Sequence, residues 1–198
     1  FPVQLTPAAS QFLQSIEDLT GIELDLEDPD EVVARLGAIG RVVGATVRNT
    51  MNVTMLDAGY KANVIPETAS AVVDGRFLPG AREQLLAVID ELLTDDIRVE
   101  VIESARSVET TFDGPLVDAM AAALRAEDEH AVPVPYLMSG GTDAKAFDRL
   151  KIRCFGFSPL LLPTDLDFFG MFHAVNERVP TQSLQFGVRV LDRFLRSA

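Results

Sequence analysis

The chain has 198 residues, with 30 acidic residues, 17 Lys or Arg and 2 His, for a formal net charge of −13. The acid excess argues against nucleic acid or an anionic membrane as a partner, and no apolar run approaches the ~20 residues that span a bilayer. The one cysteine, Cys154, excludes an internal disulfide and favours a cytoplasmic protein, and so few His and Cys residues exclude a zinc-finger-type site.

Two helices are predicted before residue 45. Thr6 and Pro7 have the character of an N-cap and a first helical residue, and Gly21 ends that helix. A second helix is predicted from Asp28 through about Val43. Residues 1–44 are therefore expected to form a helical part of the chain.

Alternating apolar and polar residues predict strands over 45–56 and 69–77, with a turn at 58–61 between them. A helix to about Leu93 and a strand over 97–103 follow. The pattern predicts a small α+β domain with an antiparallel sheet.

The rest of the chain alternates helices and strands. Helices are predicted over 116–127, from the glycine turn 139–143 to Leu150 and over 181–196, and apolar strands over 132–138 and 152–157. This order predicts an α/β layer with parallel strands. We place a domain boundary so that residues 1–106 form one domain and residues 107–198 the other.

Two loops follow strands of that predicted α/β layer, where ligands collect in such sheets. In Ser139–Asp143, paired glycines allow close approach of backbone N–H groups and Thr142 adds a hydroxyl, but a plain capped turn explains the same residues. The loop 158–176 contains His173, either a metal ligand or base, or a buried hydrogen-bonded histidine. Cys154 is predicted to lie in a buried strand.

In the first domain, Asn63 and Arg76 stand out. Arg76 on a strand could bind a carboxylate with two parallel hydrogen bonds, or it could simply pair with Asp74 on an exposed face. Asn63, which precedes Val-Ile-Pro, could cap a turn or donate a hydrogen bond to a ligand.

Together these segments resemble the M20 metallopeptidase family, the aminoacylase, carboxypeptidase and desuccinylase group. The resemblance covers roughly residues 45–198 and rests on four segments in order, which are 49–66, 73–80, 139–144 and 173–179.

The resemblance implies a lid or dimerisation domain with an antiparallel sheet, followed by the C-terminal part of an α/β zinc-exopeptidase-like catalytic domain. It implies hydrolysis of an amide or peptide bond next to a free carboxylate, by water activated by two zinc ions, with cobalt or manganese as substitutes. His173 matches a metal ligand. Asn63, Arg76, Gly141 and Thr142 match residues that bind the substrate, which would be an N-acyl amino acid or small peptide.

The chain lacks the family's His-x-Asp segment and its Glu-Glu pair, so the catalytic glutamate and the other metal ligands are expected in an N-terminal half outside it. The resemblance implies a homodimer through the lid domain, and a possible partner in that N-terminal half. The chain alone is expected to be inactive. Two alternatives stay open: a non-catalytic dimerisation or interaction module, and a metal-free carboxylate binder.

Overall fold

The computed structural model describes residues 1–25, 28–36, 40 and 43–197. Within these residues the chain is a mixture of helices and one small antiparallel sheet. The helices are α1 (Pro7–Thr20), α2 (Pro29–Arg35), α3 (Arg82–Leu92), α4 (Pro115–Arg125), α5 (Ala144–Asp148) and α6 (Thr181–Ser197), and the strands are β1 (Thr50–Ala58) and β2 (Ala69–Arg76). No helix in the described ranges combines the length and apolar character needed to cross a membrane.

The first helix begins and ends where its capping residues predict. The Thr6 hydroxyl accepts a hydrogen bond from the Ala9 amide at 3.3 Å. Gly21 takes the left-handed conformation, with φ of 68°, and its amide bonds back to the Glu17 carbonyl. Leu13 is fully buried in the apolar cluster that α1 shares with α2 and with residues up to 47. The second helix begins as predicted, but residues 37–39 and 41–42 of its predicted length lie outside the described residues.

The sheet is a hairpin exposed to water on both faces. β1 pairs antiparallel with β2, from Thr50 opposite Arg76 to Ala58 opposite Ala69, with a bulge between Val53 and Met55. The two predicted strands are confirmed, but β1 begins at Thr50 rather than at residue 45 and continues to Ala58, the first residue of the predicted turn. The residues before Thr50 turn instead, because Asn49 is drawn into the interior.

Asn49 joins the start of β1 to the turn that precedes α3. Its Oδ1 accepts a hydrogen bond from the Leu78 amide at 2.9 Å, and its Nδ2 donates to the Ala81 carbonyl at 3.2 Å. The residue is 3% exposed, so both bonds are shielded from water. The amide therefore fixes α3 against the end of the hairpin at which Arg76 lies.

Helices α4 and α6 pack against each other around Ala123, Phe186 and Val190. At the end of α4, Glu127 accepts hydrogen bonds from two arginines of α6, Arg189 at 2.7 Å and Arg193. These bonds hold the pKa of the Glu127 carboxyl below its ordinary value of 4.5. Both helices were predicted within about two residues of their observed ends.

Three predicted strands are wrong. Segments 97–103, 132–138 and 152–157 form no strand, and the structure thus shows no parallel layer among the residues it describes. A strand needs a neighbour to accept and donate its backbone hydrogen bonds, and among the described residues the one sheet ladder, between β1 and β2, does not include these segments. Several of their apolar residues are exposed, such as Ile102 at 78%, whereas Phe157 packs partly buried against the α4–α6 cluster. Cys154 consequently lies in irregular chain and is only partly buried. The domain division at 106 and 107 stays a prediction.

Candidate functional site

The most informative contact at the candidate site joins the end of β2 to the glycine loop Ser139–Asp143. Arg76, the last residue of β2, donates from one terminal guanidinium nitrogen to the Ser139 carbonyl at 3.3 Å. Its Nε donates to Asp74 Oδ2 at 2.7 Å. The structure therefore brings Arg76 to the loop that contains Gly141 and Thr142, from 63 residues away in the chain.

The Asp74–Arg76 pair that was predicted as an alternative to a ligand role is present, with both side chains a little over 40% exposed. This pair does not exclude a carboxylate ligand, because a guanidinium carries five N–H donors and these two contacts use two of them. Arg76 can thus be held by the protein and still offer donors to an anion.

The glycine loop is exposed and locally bonded. The Thr142 hydroxyl accepts a hydrogen bond from the Ala144 amide at 3.3 Å, which is the turn contact that the simpler interpretation predicts. The helix that follows, α5, has only five residues, so its dipole adds little attraction for an anion. Any anion binding here would depend on side chains and on the exposed backbone of Gly141.

Sequence reasoning missed Lys145 as a neighbour of this loop. Its Nζ lies 3.4 Å from the position that a Cβ at Gly141 would occupy, so its ammonium group rests against the glycine backbone. The available signal was the spacing, because a residue four positions after a glycine turn can fold back over it. With Arg76, Lys145 gives the loop two cationic neighbours in a chain of net charge −13.

Asn63 lies in the turn between β1 and β2, where the Val64 amide bonds to the Lys61 carbonyl at 3.2 Å. Its side chain is exposed. Contacts between the described residues do not join it to Arg76 or to the glycine loop. Its role in binding substrate stays a prediction.

His173 is exposed, so the alternative of a buried, hydrogen-bonded histidine is wrong. It has a φ of 59°, a left-handed conformation that is uncommon for a residue with a Cβ. In the chain, His173 follows a short 3₁₀-helix, Phe169–Met171. The rings of Phe168, Phe169 and Phe172 contact one another directly before it. The loop containing it is tied to α6 by the buried Ser183, whose hydroxyl donates to the Leu161 carbonyl.

Within the described ranges, no group of three or more His, Cys, Asp or Glu side chains is placed to hold a metal ion. A zinc site normally has three or four protein ligands. His173 offers one exposed imidazole, so the residues present do not form a two-zinc centre, and the other ligands would have to come from elsewhere.

Comparison with known proteins supplies the family. Residues 12–197 match the sequence profile of peptidase family M20/M25/M40. The chain belongs to this family. The resemblance seen in the four sequence segments is thereby confirmed, and it extends into the N-terminal helices.

The M20 relatives are much longer than this chain. The N-fatty-acyl-amino acid synthase/hydrolase PM20D1 of Mus musculus is 31% identical over 175 residues, which are 84% of this chain and 34% of that protein. The PM20D1 protein of Homo sapiens is 26% identical over 85% of this chain and 34% of its own length. The probable carboxypeptidase S-like 2 of Dictyostelium discoideum is 25% identical over 76% of this chain and 29% of its own.

The chain thus spans about a third of the length of the curated M20 relatives that it matches. No solved structure matches it. The names of these relatives describe N-fatty-acyl-amino acid synthase/hydrolases and a probable carboxypeptidase.

Proposed function

We propose that this chain carries the carboxylate-binding part of an M20-type hydrolase that cleaves an amide or peptide bond next to a free carboxylate. The observation that carries the proposal is the contact between Arg76 and the Ser139 carbonyl. It places a guanidinium group beside an exposed glycine backbone, with Lys145 on the same loop. These three groups, all of positive or partly positive character, are proposed to bind the substrate carboxylate together.

The substrate we propose is an N-acyl amino acid or small peptide. Such a molecule has a carboxylate close to the scissile amide, so a group that binds the carboxylate also positions the carbonyl. The name of the PM20D1 relatives, N-fatty-acyl-amino acid synthase/hydrolase, supports an N-acyl amino acid. Asn63 is proposed as a further donor to the amide oxygen, and Gly141 and Thr142 as donors to the carboxylate.

The metal in this proposal is zinc, two ions per complete site, with cobalt or manganese as substitutes. His173 would supply one neutral imidazole, and a zinc ion would supply the Lewis acid that activates water. The remaining ligands and the catalytic glutamate are expected from outside this chain. The chain's own residues bind and orient the substrate.

This ligand count gives a direct prediction for the chain alone. One imidazole holds zinc weakly, so native mass spectrometry with added zinc should show the 21.5 kDa chain mainly without bound metal. The chain alone should also fail to hydrolyse N-acyl amino acids. Retention of about two zinc ions per chain, or measurable amidase activity, would contradict the proposed division of the active site.

The test of the function uses the full-length protein and N-acyl amino acids, with release of the free amino acid measured by mass spectrometry. Hydrolysis should stop on chelation and return with zinc. Arg76→Ala should lower kcat/KM by about 100-fold, because charged hydrogen bonds of ~1.5–3 kcal/mol are lost. The matched control is Arg98→Ala, since Arg98 is 88% exposed and pairs only loosely with Glu100, at 3.5 Å.

No hydrolysis of any N-acyl amino acid or dipeptide in the presence of zinc would refute the function. Equal activity on substrates with free and methyl-esterified carboxylates would refute the role of Arg76. The second candidate, a metal-free carboxylate binder, is favoured by the single metal ligand. It predicts carboxylate affinity in the full-length protein that chelation leaves unchanged, with no turnover.

The proposal also includes a homodimer formed through the lid domain, which contains β1 and β2, and the exposure of these strands on both faces supports it. A location in the cytoplasm, expected from the single cysteine, stays a prediction.

A further inference from the structure

Asp74 and Arg76 share one face of β2, because side chains two residues apart on a strand point the same way. Gly75 between them points the other way. A Cβ at Gly75 would lie 3.2 Å from Cδ2 of Leu85, a residue of α3 that is only 4% exposed. Leu85 of α3 therefore approaches the Gly75 side of the strand, and Asp74 and Arg76 lie on the opposite side.

On that side, the guanidinium of Arg76 is held at two places. Asp74 Oδ2 accepts from Nε at 2.7 Å, and the Ser139 carbonyl accepts from a terminal nitrogen at 3.3 Å. Nε and one N–H of a terminal nitrogen are occupied, so each terminal nitrogen keeps at least one N–H, and the outward pair from these two nitrogens can receive a carboxylate. The plane of the guanidinium, and hence the direction of this pair, is set by the two acceptors.

The Asp74 contact is poorly explained as a contribution to fold stability. Both side chains are a little over 40% exposed, and ion pairs this open to water stabilise a fold very little. The residues directly across the hairpin are Asn52, opposite Asp74, and Thr50, opposite Arg76, and neither is charged. The consequence of the pair is the orientation of the Arg76 side chain.

We propose that Asp74 is a positioning residue, which orients Arg76 so that its outward N–H pair receives the substrate carboxylate beside the glycine loop. This inference rests on the proposed function, in which Arg76 binds that carboxylate. The feature of Asp74 that matters is the acceptor oxygen. Its negative charge opposes an incoming anion, so an asparagine, which keeps an acceptor oxygen and lacks the charge, should position Arg76 equally well.

The test is a titration of the ¹⁵N-labelled chain with N-acetylglycine, followed by NMR at the Nε–H signal of Arg76. N-acetylglycine methyl ester serves as the neutral probe. Asp74→Ala should weaken the binding of N-acetylglycine by about tenfold, as expected for the loss of one charged hydrogen bond. Asp74→Asn should bind within about threefold of the wild type or more tightly, and neither variant should change the response to the ester.

Two controls separate positioning from folding. Asp57→Ala removes another exposed aspartate of the same hairpin, whose cross-strand partner is Ser70, and should leave the binding unchanged. Backbone amide spectra of all variants should match the wild type outside the hairpin. In the full-length protein, Asp74→Ala should raise KM for the free acid more than it lowers kcat.

The outcomes distinguish this inference from the proposed function. If the wild-type chain responds equally to the acid and to the ester, Arg76 does not bind a carboxylate and the proposed function fails. If the wild type prefers the acid and Asp74→Ala does not weaken that preference, the positioning role is refuted while the proposed function stands. If Asp74→Asn loses as much affinity as Asp74→Ala, the acceptor argument is wrong.

Discussion

Replacing Asn49 with alanine should destabilise the chain strongly, although the residue is polar and small. The substitution leaves the Leu78 amide and the Ala81 carbonyl, bonded to Asn49 at 2.9 Å and 3.2 Å, without their partner. Each hydrogen bond contributes about 1 kcal/mol net, and a buried group left unpaired costs a further ~1–3 kcal/mol. Partial access of water to one of the two groups would reduce this sum, so we expect the free energy of unfolding to fall by about 2–4 kcal/mol.

The measurement is urea denaturation followed by far-ultraviolet circular dichroism, which gives the midpoint and the slope for wild type and variant. The control is Asn52→Ala, because Asn52 is an exposed residue of β1, and its loss should be below about 0.5 kcal/mol. If Asn49→Ala cost less than about 1 kcal/mol, the bridge between β1 and α3 would not be a significant interaction, and the argument that it fixes the Arg76 end of the hairpin would fail.

Two further predictions concern α4 and α6. Because its two arginine partners hold the pKa of Glu127 below 4.5, the ionised carboxylate stabilises the fold at neutral pH, and this contribution is lost as the pH falls through the lowered pKa. Glu127→Gln should therefore be less stable than wild type at pH 7, and it should lose less stability than wild type between about pH 5 and pH 3. The urea midpoints of both proteins, measured across this pH range, test this. Parallel curves of midpoint against pH would contradict it. Gly187→Ala would place a Cβ against the Pro159 carbonyl and should lower the free energy of unfolding by ~1–3 kcal/mol, whereas Gly156→Ala meets no atom within 4 Å and should change it little. Equal melting temperatures of the two glycine variants would refute the close approach of α6 to the Pro159 carbonyl.

The helices and the hairpin could be predicted from the sequence because their signals are local. A threonine followed by proline, or a glycine after an apolar repeat, marks a helix end through bonds made within a few residues. The start of β1 could not be predicted in the same way. Asn49 lies within the stretch predicted as a strand, but it bonds to Leu78 and Ala81, and contacts over about 30 positions cannot be predicted from neighbouring residues.

The three wrong strands have a related cause. Alternating or continuous apolar residues indicate that a segment can be buried in a sheet, but they do not identify the segment that would pair with it. Segments 97–103, 132–138 and 152–157 have this composition without a neighbouring strand among the described residues. The pattern indicates that these segments can pair in a sheet, but the described residues supply no partner strand for them.

For the candidate site, the residue types were predictable and their assembly was only partly so. Arg76 and the glycine loop stood out by chemistry, but their contact through the Ser139 carbonyl depends on how β2 ends relative to the loop. The exposure of His173 and the approach of Lys145 to Gly141 likewise depend on loop conformation. The positions of Asn63 and His173 relative to Arg76 stay predictions.

The hairpin that carries Arg76 has a thermodynamic consequence of its own. A two-stranded sheet with water on both faces is barely stable by itself, so β1 and β2 depend on their ends, at Asn49 and at α3, for most of their order. Hydrogen exchange should therefore divide the chain into two classes of amides. Those of the hairpin would exchange through frequent local opening, and those of α4 and α6 only through rarer unfolding of the helix pair. Substrate contacts made by Arg76 would then be formed by a part of the molecule that is less protected than the helix pair, and ligand binding would appear first as slower exchange in β2.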